Sequence, residues 1–264
     1  MPELPEVETF VRRLRPAVGS TIKSVDVLDE KLRLDGGALV GARIASISRR
    51  GKNVLFDLPE VGQLVIHLRM SGRLRLDRDE AEISYTRLVL GLDSGRSIFF
   101  VNPRRLGTAV LCRDGFAANL GPDPLEDSFT PDAFAESVSQ SRAPIKTFLM
   151  DQRRIAGVGN IYAAESLWRA GIAPGRPANS LTRDEARALH ESLVDVLDEA
   201  IDQLGTTLGS RVSDYRPSAD ESGGFQNRLL VYGREGEDCA RCGTPIERAV
   251  HQGRSTYHCP NCQQ

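Results

Sequence analysis

Four cysteines near the C-terminus constrain this chain more than any other feature. Cys239-x-x-Cys242 and Cys259-x-x-Cys262 are separated by sixteen residues, a spacing that suits a structural zinc site of four thiolates. Between the pairs, Gly243-Thr244-Pro245 and Gln252-Gly253-Arg254 carry turn residues, so a β-hairpin is expected there. A piece this small owns no adequate core, and one structural Zn2+ would supply its folding energy. A redox role is the rival, but two spaced pairs suit tetrahedral thiolate better than a single dithiol does. His251 and His258 lie nearby, although four thiolates already complete the site. The fifth cysteine, Cys112, falls on an expected strand and is expected to be buried.

At the other end the chain reads Met1-Pro2-Glu3-Leu4-Pro5-Glu6-Val7-Glu8. Removal of Met1 would leave Pro2 as a secondary amine. An α-amino group titrates near 7.7–8.0, so a useful fraction is free to attack an electrophilic carbon at neutral pH. Glu3 beside it is a candidate general acid or base. The competing reading is a frayed, solvated terminus. Val7, Phe10, Val11 and Leu14 recur at helical spacing, and Pro16 and Gly19 stop that helix. The amine would then be held at the start of a packed helix.

Short strands are expected at Thr21–Leu28, Ala42–Arg49, Asn53–Leu58, Gln63–Leu68, Arg73–Leu76, Thr86–Leu92, Ser97–Val101 and Thr108–Leu111. Their spacing suggests an antiparallel sandwich or barrel. Gly121-Pro122-Asp123-Pro124 reads as a linker to a helical region. Helices are expected over Pro131–Gln140, Ile145–Asp151 and Ile161–Ala170, and from a Thr182 cap to about Leu204. The last helix has an acidic outer face. Gly209–Gly224 is polar and without periodicity, so a mobile loop is expected. Three segments follow: 1–120, 121–224 and 225–264. The fold class is thus α+β and multidomain.

A length of 264 residues favours more than one domain, and the net charge of −2 does not advertise a polyanionic partner. Local clusters do: Arg142, Lys146, Arg153 and Arg154; Arg104 and Arg105; and Lys52. Together they are compatible with one basic face. Arg254 is expected at a hairpin tip, projecting outward. Asn160 follows Gly157-Val158-Gly159, so it is expected near a helix N-cap where backbone N–H groups meet anions. No apolar run approaches a membrane span, and no signal peptide is visible, so a cytoplasmic (nucleoid-associated) location is expected.

In its motifs the chain resembles the formamidopyrimidine-DNA glycosylase family of base-excision repair enzymes. The resemblance is carried by Met1-Pro-Glu-Leu-Pro-Glu-Val-Glu-Thr9, Arg49-Arg-Gly-Lys52, His67-Leu-Arg-Met-Ser-Gly72, Asn102-Pro-Arg-Arg-Leu-Gly107, Ile155-Ala-Gly-Val-Gly-Asn-Ile-Tyr162, Val231-Tyr-Gly-Arg234 and the zinc cysteines. It covers essentially the whole chain. It implies an N-terminal helix with a β-sandwich, a helix–two-turn–helix domain and a zinc β-hairpin. The implied activity is that of a DNA glycosylase and abasic-site lyase acting on 8-oxoguanine and formamidopyrimidines in double-stranded DNA, as a monomer.

Site roles follow from the same resemblance. Pro2 is similar to the Schiff-base nucleophile and Glu3 to the proton donor. Lys52 is similar to the lysine of phosphate contact and β-elimination. Arg254 is similar to the finger arginine of δ-elimination, and Asn160 to the phosphate-binding asparagine. Met70, Arg104 and Leu106 resemble the residues that fill the hole left by a flipped nucleotide. Lys146, Arg142 and Tyr85 complete the DNA-binding candidates. The chain departs from the family pattern at Leu106, where Phe is common, at Arg69, where Gly is common, and at Tyr85, which occupies the place of a histidine-containing contact. An endonuclease VIII-type pyrimidine glycosylase and a non-catalytic DNA-binding protein are the alternatives. A zinc-ribbon interaction factor is a more distant one, because it leaves the N-terminus unexplained.

Overall fold

Short apolar runs bounded by Gly, Asp and Asn fold the N-terminal half into strands. The computed structural model describes residues 2–78, 84–116, 119–209, 214–218 and 221–264. Met1, and the 210–213 and 219–220 parts of the expected loop, lie outside the described residues. The chain forms two compact units, one of residues 1–118 with 203–224 and the other of 119–202 with 225–264. Among the described residues, no helix is long and apolar enough to cross a membrane.

In the first unit, helix α1 (Leu4–Leu14) starts at Glu3, with Pro5 in its first turn, where the missing N–H costs no helical bond. The strands are β1 (Ile22–Val27), β2 (Ser46–Arg50), β3 (Asn53–Leu58), β4 (Gly62–His67), β5 (Arg73–Asp77), β6 (Thr86–Leu92), β7 (Ser97–Val101) and β8 (Thr108–Cys112). They make two four-stranded antiparallel sheets, ordered β1-β6-β7-β5 and β2-β3-β4-β8. Register places Val54 opposite Ile66 and Phe56 opposite Leu64, so the period of two sends these side chains to one face. There they meet Leu74, Leu88, Leu90, Ile98 and Phe100 of the other sheet and Val7, Phe10, Val11 and Leu14 of α1. Each such large apolar side chain stabilises the unit by roughly 1.5–3 kcal/mol on burial.

Two expectations change here. Strand β2 begins at Ser46 rather than Ala42, because Ala42 and Ile44 exchange backbone bonds with Ile22 and Ser20 instead of joining the β3 ladder. Cys112 is half-exposed at the end of β8, which is an edge strand of its sheet among the described residues. The 203–224 segment is also anchored where it is described. Tyr215 is buried, sets its ring edge-on to Phe10 at 5.5 Å, and donates its hydroxyl to the Leu204 carbonyl at 2.8 Å.

In the second unit, helices α2 (Pro131–Ser139), α3 (Ile145–Met150), α4 (Asn160–Ala170) and α5 (Arg183–Asp202) pack α2 on α5, α3 on α4 and α4 on α5. Thr130 caps α2 by accepting from the Ala133 N–H. Thr182 and Glu185 cap α5 reciprocally. Gly171, at φ 72°, closes α4 in the left-handed conformation that glycine adopts freely. Strands β9 (Glu247–His251) and β10 (Arg254–His258) form the hairpin, joined by Gln252 and Gly253 with φ 48° and 73°. That two-residue turn matches the right-handed strand twist. The hairpin base docks on the end of α4: Arg241 stacks 4.1 Å over the Trp168 ring and donates to the Trp168 and Arg169 carbonyls.

Candidate functional site

The first unit holds one group of candidates. Pro2 is buried, and Glu3 is only 3 % exposed. The Glu3 N–H donates to the Glu6 Oε2 at 2.7 Å, within a capping box that fixes the start of α1. Pro2 and Glu3 are therefore packed rather than frayed. Glu6, which sequence reasoning did not single out, is itself buried. Its other oxygen accepts from the Thr206 N–H at 2.8 Å, tying α1 to the 203–224 segment. Gly205 makes this approach possible, since a Cβ there would stand 2.8 Å from Glu6 Oε1.

Lys52, expected on a basic surface, is buried in the turn from β2 to β3. Its neighbour Asn53 pairs with His67 at the end of β4. His67 is the second residue that sequence reasoning passed over; its only signal was its place in the His67–Gly72 motif. Burial first, and then the Arg69 and Lys52 charges, hold its pKa down to about 4. The imidazole is thus neutral at neutral pH. Its Nδ1 accepts from the Arg69 N–H at 3.0 Å, which assigns the ring proton to Nε2, a donor suited to an anion.

Around this group stand the wedge candidates. Met70 and Leu106 are large apolar side chains left 43 % and 46 % exposed, and Arg104 is exposed between them in sequence. Exposed apolar side chains next to a cation suit a partner with both stacked rings and charge. Three non-glycine residues in these loops, Arg69, Tyr85 and Arg105, have φ of 54°, 66° and 53°. Such strain persists where the surroundings over-determine it, and it gathers at functional sites. Tyr85 is exposed, and its carbonyl accepts from the Asn102 N–H at 3.0 Å.

The second unit holds the other candidates. Asn160 is the first residue of α4, one place inside the expected cap, which is Gly159. Gln152 shapes the approach to it: its Oε1 accepts from Gly157 N–H at 2.9 Å, and its Nε2 donates to the Met150 and Val158 carbonyls. Lys146, also expected at the surface, is only 3 % exposed. Its ammonium donates to the Ser255 carbonyl at 3.1 Å and to Thr256 Oγ1 at 2.8 Å, and Asn160 Nδ2 donates to the same Ser255 carbonyl at 2.9 Å. Arg254, the preceding residue, opens β10 beside the turn and is exposed. So α3, α4 and the hairpin bring Lys146, Asn160 and Arg254 together. A cleft of about 340 Å3 lies there, lined by Lys146, Met150, Arg153, His251 and Arg254 among others. Arg142 is exposed, and Arg153 and Arg154 bond to Asp151.

The four cysteine sulfurs converge as expected. Sγ of Cys239 and Cys262 are 3.9 Å apart, those of Cys242 and Cys259 are 3.5 Å apart, and all four lie within 4.8 Å of one another. A tetrahedron built on Zn–S bonds of about 2.3 Å needs S···S edges of about 3.8 Å. The cluster therefore fits one structural zinc. Gln263 braces it by accepting from the Cys259 N–H and donating to the Ile172 carbonyl.

A buried proline at the head of a helix, exposed apolar side chains near a cation, and a hairpin with four converging cysteines define a class of zinc-finger proteins built on a sandwich and a helical unit. Comparison with known proteins agrees. Residues 1–109 match the formamidopyrimidine-DNA glycosylase N-terminal domain, residues 120–212 the H2TH domain of the same enzymes, and residues 236–264 the zinc finger found in FPG and IleRS. The formamidopyrimidine-DNA glycosylase of Thermus thermophilus is 45 % identical over 270 residues, covering 100 % of this chain and 98 % of the relative. That of Serratia proteamaculans is 42 % identical, covering 100 % of both. The crystal structure of the MutM (Fpg) protein from Thermus thermophilus superposes with a TM-score of 0.87 at 45 % identity, covering 99 % of this chain and 98 % of that one. The complex of Lactococcus lactis Fpg with DNA containing an abasic site gives 0.86 at 32 % identity, covering 99 % of each. The chain belongs to the formamidopyrimidine-DNA glycosylase family.

Proposed function

We propose that this protein is a DNA glycosylase and abasic-site lyase of base-excision repair, excising oxidised purines from double-stranded DNA through Pro2. The observation that carries this reading is the buried, capped Pro2–Glu3 start of α1 in a chain related to the family over its full length. With Met1 removed, the Pro2 nitrogen attacks C1′ of the damaged nucleotide. The base leaves with the glycosidic electron pair and takes up a proton, which Glu3 supplies. The Pro2 nitrogen then loses its proton to Glu3, Glu3 protonates O4′ as the C1′–O4′ bond breaks, and the nitrogen lone pair forms an open-chain iminium that acidifies C2′–H. Loss of that proton expels the 3′ phosphate, and a second elimination expels the 5′ phosphate. Water then releases Pro2.

The remaining residues bind and orient. Lys52, Asn160, Lys146 and Arg254 hold phosphates, with Arg142 and Tyr85 as outer contacts. A base inside the duplex is out of reach, so the nucleotide must turn out, at a cost of roughly a few kcal/mol. Met70 and Leu106 offset the lost stacking, and Arg104 presents a fork of N–H donors to the orphaned base. Zinc, when bound, staples the hairpin that carries Arg254. The segments 1–120, 121–224 and 225–264 serve as catalytic part, duplex grip with lesion loop, and finger. The protein works as a monomer in the cytoplasm, at the nucleoid.

Borohydride trapping on a duplex carrying 8-oxoguanine opposite cytosine tests the reading, with mass spectrometry of the adduct. A covalent link at Pro2 is expected, and it should vanish in Pro2→Gly. No adduct on this duplex, on oxidised pyrimidines or on abasic DNA, with Met1 shown to be absent, would leave a non-catalytic DNA-binding protein instead.

A further inference from the structure

The loop 102–107, which carries Arg104 and Leu106, is held firmly at both ends. Asn102 is buried, its N–H donates to the Tyr85 carbonyl, and its side chain donates to the Gly107 carbonyl. Gly107 has no room for a side chain: a Cβ would stand 2.6 Å from Phe100 Cζ and 3.0 Å from the His67 carbonyl. The Arg104 N–H donates to Ser71 Oγ at 3.3 Å. The centre of the loop is different. Arg105 closes a turn by donating its N–H to the Asn102 carbonyl, and it does so with φ 53°, a conformation that L side chains resist.

One group opposes that resistance. Arg105 grips Asp29 with two parallel bonds, Nε to Oδ2 at 2.9 Å and Nη2 to Oδ1 at 2.5 Å. The Asp29 side chain is only 2 % exposed, whereas that of Arg105 is 44 % exposed. Asp29 itself is fixed by accepting from the Lys31 N–H at the head of a 3-10 turn. Arg87 reinforces the arrangement, with Nε 4.0 Å from Asp29 Oδ2 and donating to the Asn102 carbonyl at 3.3 Å. A bidentate guanidinium–carboxylate pair fixes direction as well as distance. The Arg105 hydrogen bonds hold the Asp29 carboxyl down to about 2, so the pair stays charged across the working pH range.

We propose that Asp29 is a positioning residue for recognition of the orphaned base: its ion pair locks Arg105 left-handed, and this backbone state presents Arg104 and Leu106 together. The proposal rests on the reading of Arg104 and Leu106 given above. Asp29 does not touch the duplex in this account, and the Arg105 side chain acts on its own backbone.

The test uses single-turnover excision of 8-oxoguanine opposite cytosine and opposite adenine, taking the ratio of the two rates. Arg105→Ala and Arg105→Gly both delete the ion pair, but only glycine takes the left-handed turn freely. Arg105→Ala and Asp29→Asn are expected to lower the ratio roughly five- to thirtyfold, the population shift that a left-handed non-glycine residue carries. Arg105→Gly should stay within about twofold of wild type, and Asp29→Asn added to it should change nothing further.

If Arg105→Gly falls as far as Arg105→Ala, the guanidinium acts directly and the proposal is overturned. The same holds if Arg105→Ala discriminates like wild type. Arg104→Ala is the control: an unchanged ratio there would refute the underlying role of Arg104, and this proposal with it. A lost ratio in Arg104→Ala beside unaffected Asp29→Asn and Arg105→Ala would refute the proposal alone.

Discussion

Glu165→Gln is the most informative single perturbation of the second unit. Glu165 is fully buried on α4. Its Oε1 accepts from the Val231 and Tyr232 N–H groups at 3.1 and 2.8 Å, and its Oε2 accepts from the Leu230 N–H at 2.9 Å. Burial holds the carboxyl pKa above its ordinary value, against the opposing pull of the three N–H groups. Only a carboxylate accepts all three bonds. The amide keeps two and turns an NH2 toward the third donor. That forfeits a charge-assisted bond worth roughly 1.5–3 kcal/mol and strands a buried N–H at roughly 1–3 kcal/mol, partly offset by relief of the buried charge. The net loss is about 3 kcal/mol. At about 2–4 °C per kcal/mol, the melting temperature should fall roughly 6–12 °C. Calorimetry measures the shift, and amide exchange at residues 230–232 should accelerate with it. The segment 230–232 leads into the hairpin that bears Arg254, so DNA affinity should weaken in parallel. A melting temperature within about 1 °C of wild type, with protected 230–232 amides, would refute this accounting.

Two further outcomes follow from the same structure. Chelating the zinc, or Cys259→Ser, should unfold the hairpin and abolish DNA binding while the sandwich keeps its far-ultraviolet signal; Trp168, the single tryptophan, packs with Cys239 and Cys259, so its emission should shift to the red. Because His67 in the folded protein titrates near 4 rather than its ordinary 6.5, the unfolded chain binds more protons between those values. Stability should therefore decline as pH falls from about 6.5 to about 4, by no more than roughly 3 kcal/mol from this group. Denaturant titrations at three pH values check this, and His67→Gln should flatten the dependence; an unchanged slope would refute it.

Elements whose partners are close in sequence were legible residue by residue. Asn53–Leu58, Thr86–Leu92 and Ser97–Val101 occur as expected, because short apolar runs bounded by turn residues are written locally. The start of β2 was not legible, since residues 42–44 bond to residues 20–22 across a gap that no local pattern encodes. The same cause hid Glu6 and Glu165. A carboxylate in a helix reads as a solvated charge until its donors are known, and the Glu6 partner is 200 residues away. Lys146 misled in the same way, since its acceptors lie 109 and 110 residues further on.

By itself the sequence determined the chemistry available to this protein: a proline one step from the terminus, a glutamate beside it, four thiolates at zinc spacing, and family motifs along its length. These are covalent facts and short-range spacings, and they survive without coordinates. Tertiary structure decided the state of those groups. It kept His67 neutral, buried Lys52 and Lys146, fixed Glu3 through Glu6, and held Arg105 in a backbone conformation that its own sequence disfavours. Protonation, burial and strain are set by whatever surrounds a residue in space, and that is assembled only when distant segments pack.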